Sequence, residues 1–83
     1  MLWLGSMKSK AVVYTSKTCA YCPMVKKYLD RFEVDYEERD IEVGNNHKDS
    51  IEASGAFTVP VVVAGDRVVV GYQPGKLRSI FQG

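Results

Sequence analysis

The apolar positions of this chain change period several times, and each change marks an element. Ala11-Val12-Val13-Tyr14 is an unbroken apolar run closed by Thr15. A short β-branched run of this kind predicts a strand covered on both faces, and therefore a central one. From Met24 the spacing lengthens: Met24, Val25, Tyr28, Leu29 and Phe32 recur at helical intervals. This predicts a helix to about Arg31 or Phe32 that buries Val25, Leu29 and Phe32, with Met24 and Tyr28 as core or rim rather than a binding stripe. Pro23 fits only in its first turn, where a missing N–H costs little, and Thr18, closing the turn 16–18, is its expected N-cap.

The stretch 34–41 alternates imperfectly, with strand character at Val34 and Tyr36 and its charges on a solvated face. Gly44-Asn45-Asn46 is a turn, and Asn45 or Asn46 is placed to cap a polar second helix through Ser54 whose few apolar residues are Ile51 and Ala53. Gly55 suits its end, being able to take positive φ. Val61-Val62-Val63-Ala64 and Arg67-Val68-Val69-Val70 flank Gly65-Asp66, which predicts a hairpin. Pro74 then opens a last helix with Leu77, Ile80 and Phe81 on one face. The order is βαβαββα. The crossover makes the first two strands parallel, and the hairpin adds two antiparallel ones, giving a four-stranded mixed sheet with three helices on its two faces.

Eighty-three residues hold one hydrophobic core and not two. With 46% hydrophobic and 25% charged residues and a net charge of +1, acids and bases intermixed, the composition offers neither a nucleic-acid footprint nor a polybasic membrane anchor. No apolar run is long enough to span a bilayer. Met1 to Ser6 is too short for a signal peptide, and Met7 offers a second start. Residues 1–9 are expected to be a disordered N-terminal extension, an upstream start or a cloning remnant, with the domain at 10–83. The expected compartment is the cytoplasm, where two cysteines cycle rather than staple.

Those cysteines carry the chemistry. Thr18-Cys19-Ala20-Tyr21-Cys22-Pro23 stands where the first strand gives way to the first helix. A helix N-terminus favours thiolate over thiol, and a three-residue offset puts both sulfurs on one side of the first turn. A zinc site needs two further ligands, and the chain has one histidine, His47, and no third cysteine. A purely structural disulfide closing so short a loop removes little entropy from the unfolded chain. Redox chemistry is the reading that remains, with Cys19 at the turn as nucleophile and Cys22, inside the first turn, as the resolving thiol. Lys17, two residues before Cys19, is placed either to add positive potential there or to be a solvated surface lysine.

Lys17-Thr18-Cys19-Ala20-Tyr21-Cys22 resembles the active-site turn of glutaredoxins, commonly Cys-Pro-Tyr-Cys, and Phe57-Thr58-Val59-Pro60 resembles their Thr-Val-Pro segment. The resemblance runs from about Lys10 to Phe81. It implies the thioredoxin fold in its small form and thiol–disulfide exchange on Cys19 and Cys22. It also implies a cis Val59–Pro60 bond facing the cysteines, with the Val59 backbone pairing substrate. Lys17, Tyr21, Thr58, Val59 and Pro60 are the implied substrate- or glutathione-binding residues. No metal and no tightly bound cofactor is expected, and glutathione enters as a co-substrate. The expected partners of a monomer are disulfide-containing proteins, and either glutathione or a thioredoxin-reductase-type flavoprotein.

Two departures matter. Glutathione-using members commonly carry Gly-Gly-x-x-Asp after the hairpin; here the stretch is Gly71-Tyr72-Gln73-Pro74-Gly75, with bulk in place of the second glycine and no aspartate. This pattern is more similar to glutaredoxin-like redoxins that take electrons from thioredoxin reductase, including those serving ribonucleotide reductase. Ala20 replaces the commonest proline, which opens an alternative from another class: a dimer carrying a [2Fe–2S] cluster through Cys19 and glutathione thiolates.

Overall fold

The computed structural model describes residues 11–82, so the expectations for residues 1–9 lie outside the described residues. Strand β1 (Ala11–Thr15) leads through the cysteine loop into helix α1 (Cys22–Arg31), followed by β2 (Tyr36–Asp40), α2 (Asn46–Ser54), the hairpin β3 (Val61–Ala64) and β4 (Arg67–Val70), and α3 (Pro74–Gln82). The sheet order is β2-β1-β3-β4. β1 is central, parallel to β2 and antiparallel to β3, as its apolar run predicts. The thioredoxin fold is thus present, with all seven elements in the expected order.

Register decides what each face buries. Val13, Val62 and Val69 stand side by side across three strands. They pack with Ala11, Val25, Leu29, Val34 and Leu77 into one core between the sheet and helices α1 and α3. On the other face Tyr14 and Val61 are register partners and both buried. α2 covers that side, and its one fully buried residue is Ser50. Of its few apolar residues Ile51 is half-buried and Ala53 exposed, because the helix turns a small polar residue to the sheet.

The boundaries differ at three places. β2 begins at Tyr36 rather than Val34, because Val34 is spent on ending α1. Its N–H donates to the Leu29 carbonyl (3.0 Å) and that of Glu33 to Asp30 (3.0 Å), a Schellman-type stop with Glu33 at φ 58°. Phe32, expected buried, is half-buried beside Tyr28. Asn45 is the N-cap residue of α2 but makes no side-chain cap, and the Asn46 side chain instead donates to the Asp40 carbonyl (2.9 Å). Gly55 does end α2, at φ 73°. No helix among the described residues is long and apolar enough to cross a membrane.

Candidate active site

The site begins where β1 runs out at Thr15. Thr18 is not the N-cap of α1: Tyr21 holds that position and gives no side-chain cap. The loop is longer than the sequence suggests because it folds on itself, with the Thr18 N–H donating to Ser16 Oγ (3.3 Å) and the two hydroxyls 3.2 Å apart. A sulfur stands in for the missing capping oxygen. The Cys22 N–H, in the first turn of α1, donates to Cys19 Sγ (3.1 Å). That bond and the positive end of the helix dipole both bear on the Cys19 sulfur.

Cys19 and Cys22 form a disulfide with Cα atoms 5.5 Å apart, within the ordinary range. The two sulfurs are not equivalent: Cys22 is 2% exposed, whereas Cys19 is half-exposed at the mouth of the loop. Below them lies a cavity of about 260 Å³ lined by Thr15, Lys17, both cysteines, Lys26, Glu38 and Asp40 among others. Lys26 is one helical turn beyond Cys22, on the same face. Its Nζ donates to both oxygens of Glu38 (3.2 and 3.1 Å), and the Thr15 hydroxyl donates to the same carboxylate (2.9 Å). With 32% of the Lys26 side chain and 42% of the Glu38 side chain open to water, this pair adds little stability. Its effect is to fix an ammonium and a carboxylate at the wall of the cavity that the sulfurs share.

Sequence reasoning missed Lys26 and Glu38. Lys26 was findable from its four-residue spacing to Cys22. Glu38 was not: it reaches the cavity because the parallel pairing sets it opposite Val13, two positions before the Thr15–Asp40 pair and therefore on the same face of the sheet.

The other implied residues are spread around the loop. Lys17 is exposed and shares the cavity with the sulfurs. Tyr21 faces away from it, 56% exposed and stacked on Tyr72 with ring centroids 6.3 Å apart. Tyr72 in turn meets Tyr28 edge-on at 6.3 Å, and the Tyr28 hydroxyl donates to the Pro74 carbonyl (3.1 Å). The Val59–Pro60 bond is cis. Pro60 is buried directly before Val61, the register partner of Tyr14, so it lies at the end of the sheet where β1 enters the cysteine loop. Its carbonyl accepts from the Gly71 N–H (2.7 Å). Val59 is half-buried and Thr58 exposed, the Thr58 hydroxyl reaching only the Val59 carbonyl (3.4 Å). None of these three lines the cavity under the sulfurs. Among the described residues no cluster of three or more His, Cys, Asp or Glu is arranged to hold a metal ion.

The family profile described as Glutaredoxin matches residues 11–69, from β1 through both cysteines and the cis proline into β4. The chain belongs to the glutaredoxin family. Among curated relatives, this glutaredoxin is 28% identical to the glutaredoxin-like protein NrdH of Lactococcus lactis over 82% of its own length and 94% of that protein's. Among solved structures, the glutaredoxin of Archaeoglobus fulgidus superposes with a TM-score of 0.80 at 32% identity, covering 93% of this chain and 89% of the other. A variant of the thioredoxin-like protein BC3987 gives 0.81 at 30% identity, covering 92% and 97%. A glutaredoxin with a Cys19–Cys22 pair at disulfide distance is a thiol–disulfide oxidoreductase.

Proposed function

We propose that this glutaredoxin reduces protein disulfides in the cytoplasm as a monomer, and that a thioredoxin-reductase-type flavoprotein, more than glutathione, returns its electrons. Cys19 thiolate attacks the substrate disulfide; the first substrate sulfur leaves as thiolate and takes a proton from water. Cys22 then loses its proton and attacks Cys19, the mixed disulfide breaks, and the second substrate sulfur leaves reduced. Two electrons pass to the substrate and the Cys19–Cys22 disulfide remains. The burial of Cys22 supports this division of labour, since a sulfur 2% exposed reaches Cys19 and little else. Lys17, which shares the cavity with the sulfurs, and Tyr21, Thr58, Val59 and Pro60 are proposed to bind the substrate, with no tightly bound cofactor taking part.

The observation that carries the choice of reductant is Tyr72. Its ring, stacked on Tyr21, fills the stretch after the hairpin where glutathione-using members present bare backbone, and no aspartate follows it. The relatives of NrdH type accord with this. The test sets oxidised protein with NADPH and thioredoxin reductase beside glutathione with glutathione reductase. One lost charge-assisted hydrogen bond is worth about 1.5–3 kcal/mol, or about tenfold to hundredfold in affinity. Glutathione is therefore expected to be the poorer reductant by at least that order. Equal rates overturn the choice of reductant. Cys19→Ser is expected to abolish turnover, and Cys22→Ser to trap a mixed disulfide on Cys19; faster alkylation of Cys22 than of Cys19 at mildly acidic pH reverses the assignment.

A further inference from the structure

A second cleft, of about 230 Å³, is lined by Met24, Lys27, Tyr28, Arg31 and Tyr72, two of them members of the aromatic group that includes Tyr21. The four helical residues fall at i, i+3, i+4 and i+7, so they form one stripe along α1 that begins beside Tyr21, the residue next to Cys22. Its floor is apolar: Tyr28 and Tyr72 meet edge to face, and Met24 is 44% exposed although it is a large hydrophobic residue. Its outer rim is cationic. Lys27 and Arg31 are both exposed, and neither has an ion pair among the described residues, unlike Lys26 and Arg39, which are held by Glu38 and Glu37. The acid nearest in sequence, Asp30, interacts electrostatically with Tyr36 of β2 and makes no ion pair with either cation.

Resting on the oxidoreductase reading above, we propose that this cleft is the docking groove for the substrate protein, and that it selects a segment beside the redox disulfide combining a bulky apolar side chain with carboxylates. Charge complementarity names the occupant. Two unpaired cations bordering an aromatic floor leave an apolar group in the cleft and acids at its rim as the matching chemistry, and disfavour a basic segment. The dimensions agree: Met24 to Arg31 rises about 10 Å along the helix, the span of about three extended residues. A segment of that length spans the cleft from Met24 to Arg31, and the chain that precedes it leads back toward Cys19. Met24 and Tyr28, expected as core or rim, thereby form the binding stripe.

The test uses the full-length reduced protein and two synthetic disulfide-cyclised peptides with the same cysteine spacing, one flanked by Leu-Asp-Glu and one by Leu-Lys-Lys. The rate of disulfide transfer is followed by quenched-flow chromatography; each peptide disulfide gains two electrons as the Cys19–Cys22 dithiol is oxidised. Two exposed ion pairs are expected to favour the acidic peptide by about two- to thirtyfold at low salt, and the ratio is expected to shrink in high salt. Lys27→Glu with Arg31→Glu is expected to invert the ratio, whereas Lys48→Glu, an exposed charge reversal on α2, leaves it in place. Changing Leu to Ser in the acidic peptide is expected to slow transfer. A ratio near one for the wild type, or one that the double reversal leaves unchanged, overturns the docking proposal alone. Failure of the wild type to reduce either peptide overturns the oxidoreductase roles of Cys19 and Cys22, and the docking groove with them.

Discussion

Gly75→Asp puts both the helix chemistry and the choice of reductant on trial in one substitution. Gly75 is the second residue of α3, a helix with no acidic residue in its first turn. A β-carbon added there meets nothing within 4 Å, and the backbone is not in the left-handed region, so an ordinary side chain enters without strain. Replacing glycine by aspartate in a helix gains about 0.3 kcal/mol in propensity. A carboxylate at the positive end of the dipole adds about 0.3–1 kcal/mol. The sum, about 0.6–1.3 kcal/mol, corresponds to a rise in Tm of about 2–10 °C for a domain of this size. Gly75→Asn has nearly the same shape without the charge and isolates the smaller part. The dipole holds the folded-state pKa of the new aspartate below its ordinary value of about 3.9. The electrostatic gain is thus complete above about pH 4 and disappears as pH falls through the lowered folded value. Thermal melts of the two variants at low salt, near pH 7 and near pH 2, decide the matter. An aspartate variant no more stable than the asparagine one at neutral pH, or one whose advantage survives acid, refutes the reasoning. The same carboxylate, combined with Tyr72→Gly, is expected to restore part of the tenfold to hundredfold loss in glutathione reactivity; no change in that rate means that Tyr72 and the missing aspartate do not govern the reductant.

Other substitutions test the frame around the site. Glu33→Gly is expected to stabilise the protein by about 0.5–1 kcal/mol in denaturant titration, because a non-glycine residue at φ 58° costs about 1–2 kcal/mol and the freer unfolded chain returns part of it. A double-mutant cycle of Tyr21→Ala and Tyr72→Ala is expected to give a coupling of about 0.5–1.5 kcal/mol for the stacked pair; additivity means that the stack is not formed in solution. Burial, with Asp30 and Glu38 nearby, raises the Tyr36 pKa above its ordinary value of 10.0. Unfolded Tyr36 therefore ionises first as pH rises past 10, and stability falls from there through the raised folded value. Tyr36→Phe is expected to flatten that alkaline decline in a stability–pH profile.

What the sequence disclosed followed from local chemistry. Helical spacing located α1 and α3 and unbroken β-branched runs located β1 and the hairpin, whereas β2 and α2 were placed by weak alternation and by turn residues. Gly55 announced the end of α2, and the cysteine spacing at a strand–helix junction announced the redox pair. The hidden parts depended on tertiary neighbours. No period shows that Val34 terminates α1 instead of opening β2, since its role depends on the Leu29 carbonyl it caps. Ser50 is polar and gave no burial signal, yet it is the residue that α2 buries against the sheet. Thr18 failed as a cap because Ser16 engages it first and Cys19 supplies the acceptor. Glu38 became part of the sulfur cavity through the parallel register, a property of two strands joined by a helix and not of either alone.

The sheet order also sets a timetable for synthesis. β1 emerges first, finds β2 after one short crossover, and then waits for a second neighbour until β3 has left the ribosome, about fifty residues behind it in sequence. Throughout that interval the Val12-Val13-Tyr14 edge has no hydrogen-bonding partner, and such open apolar edges recruit other chains. A nascent chain stalled between α2 and β3 holds both redox cysteines and half a sheet. Stalling there is expected to yield aggregates, and release of a few more residues, enough to deliver Val61 to Val63 and cover that edge, to reduce them.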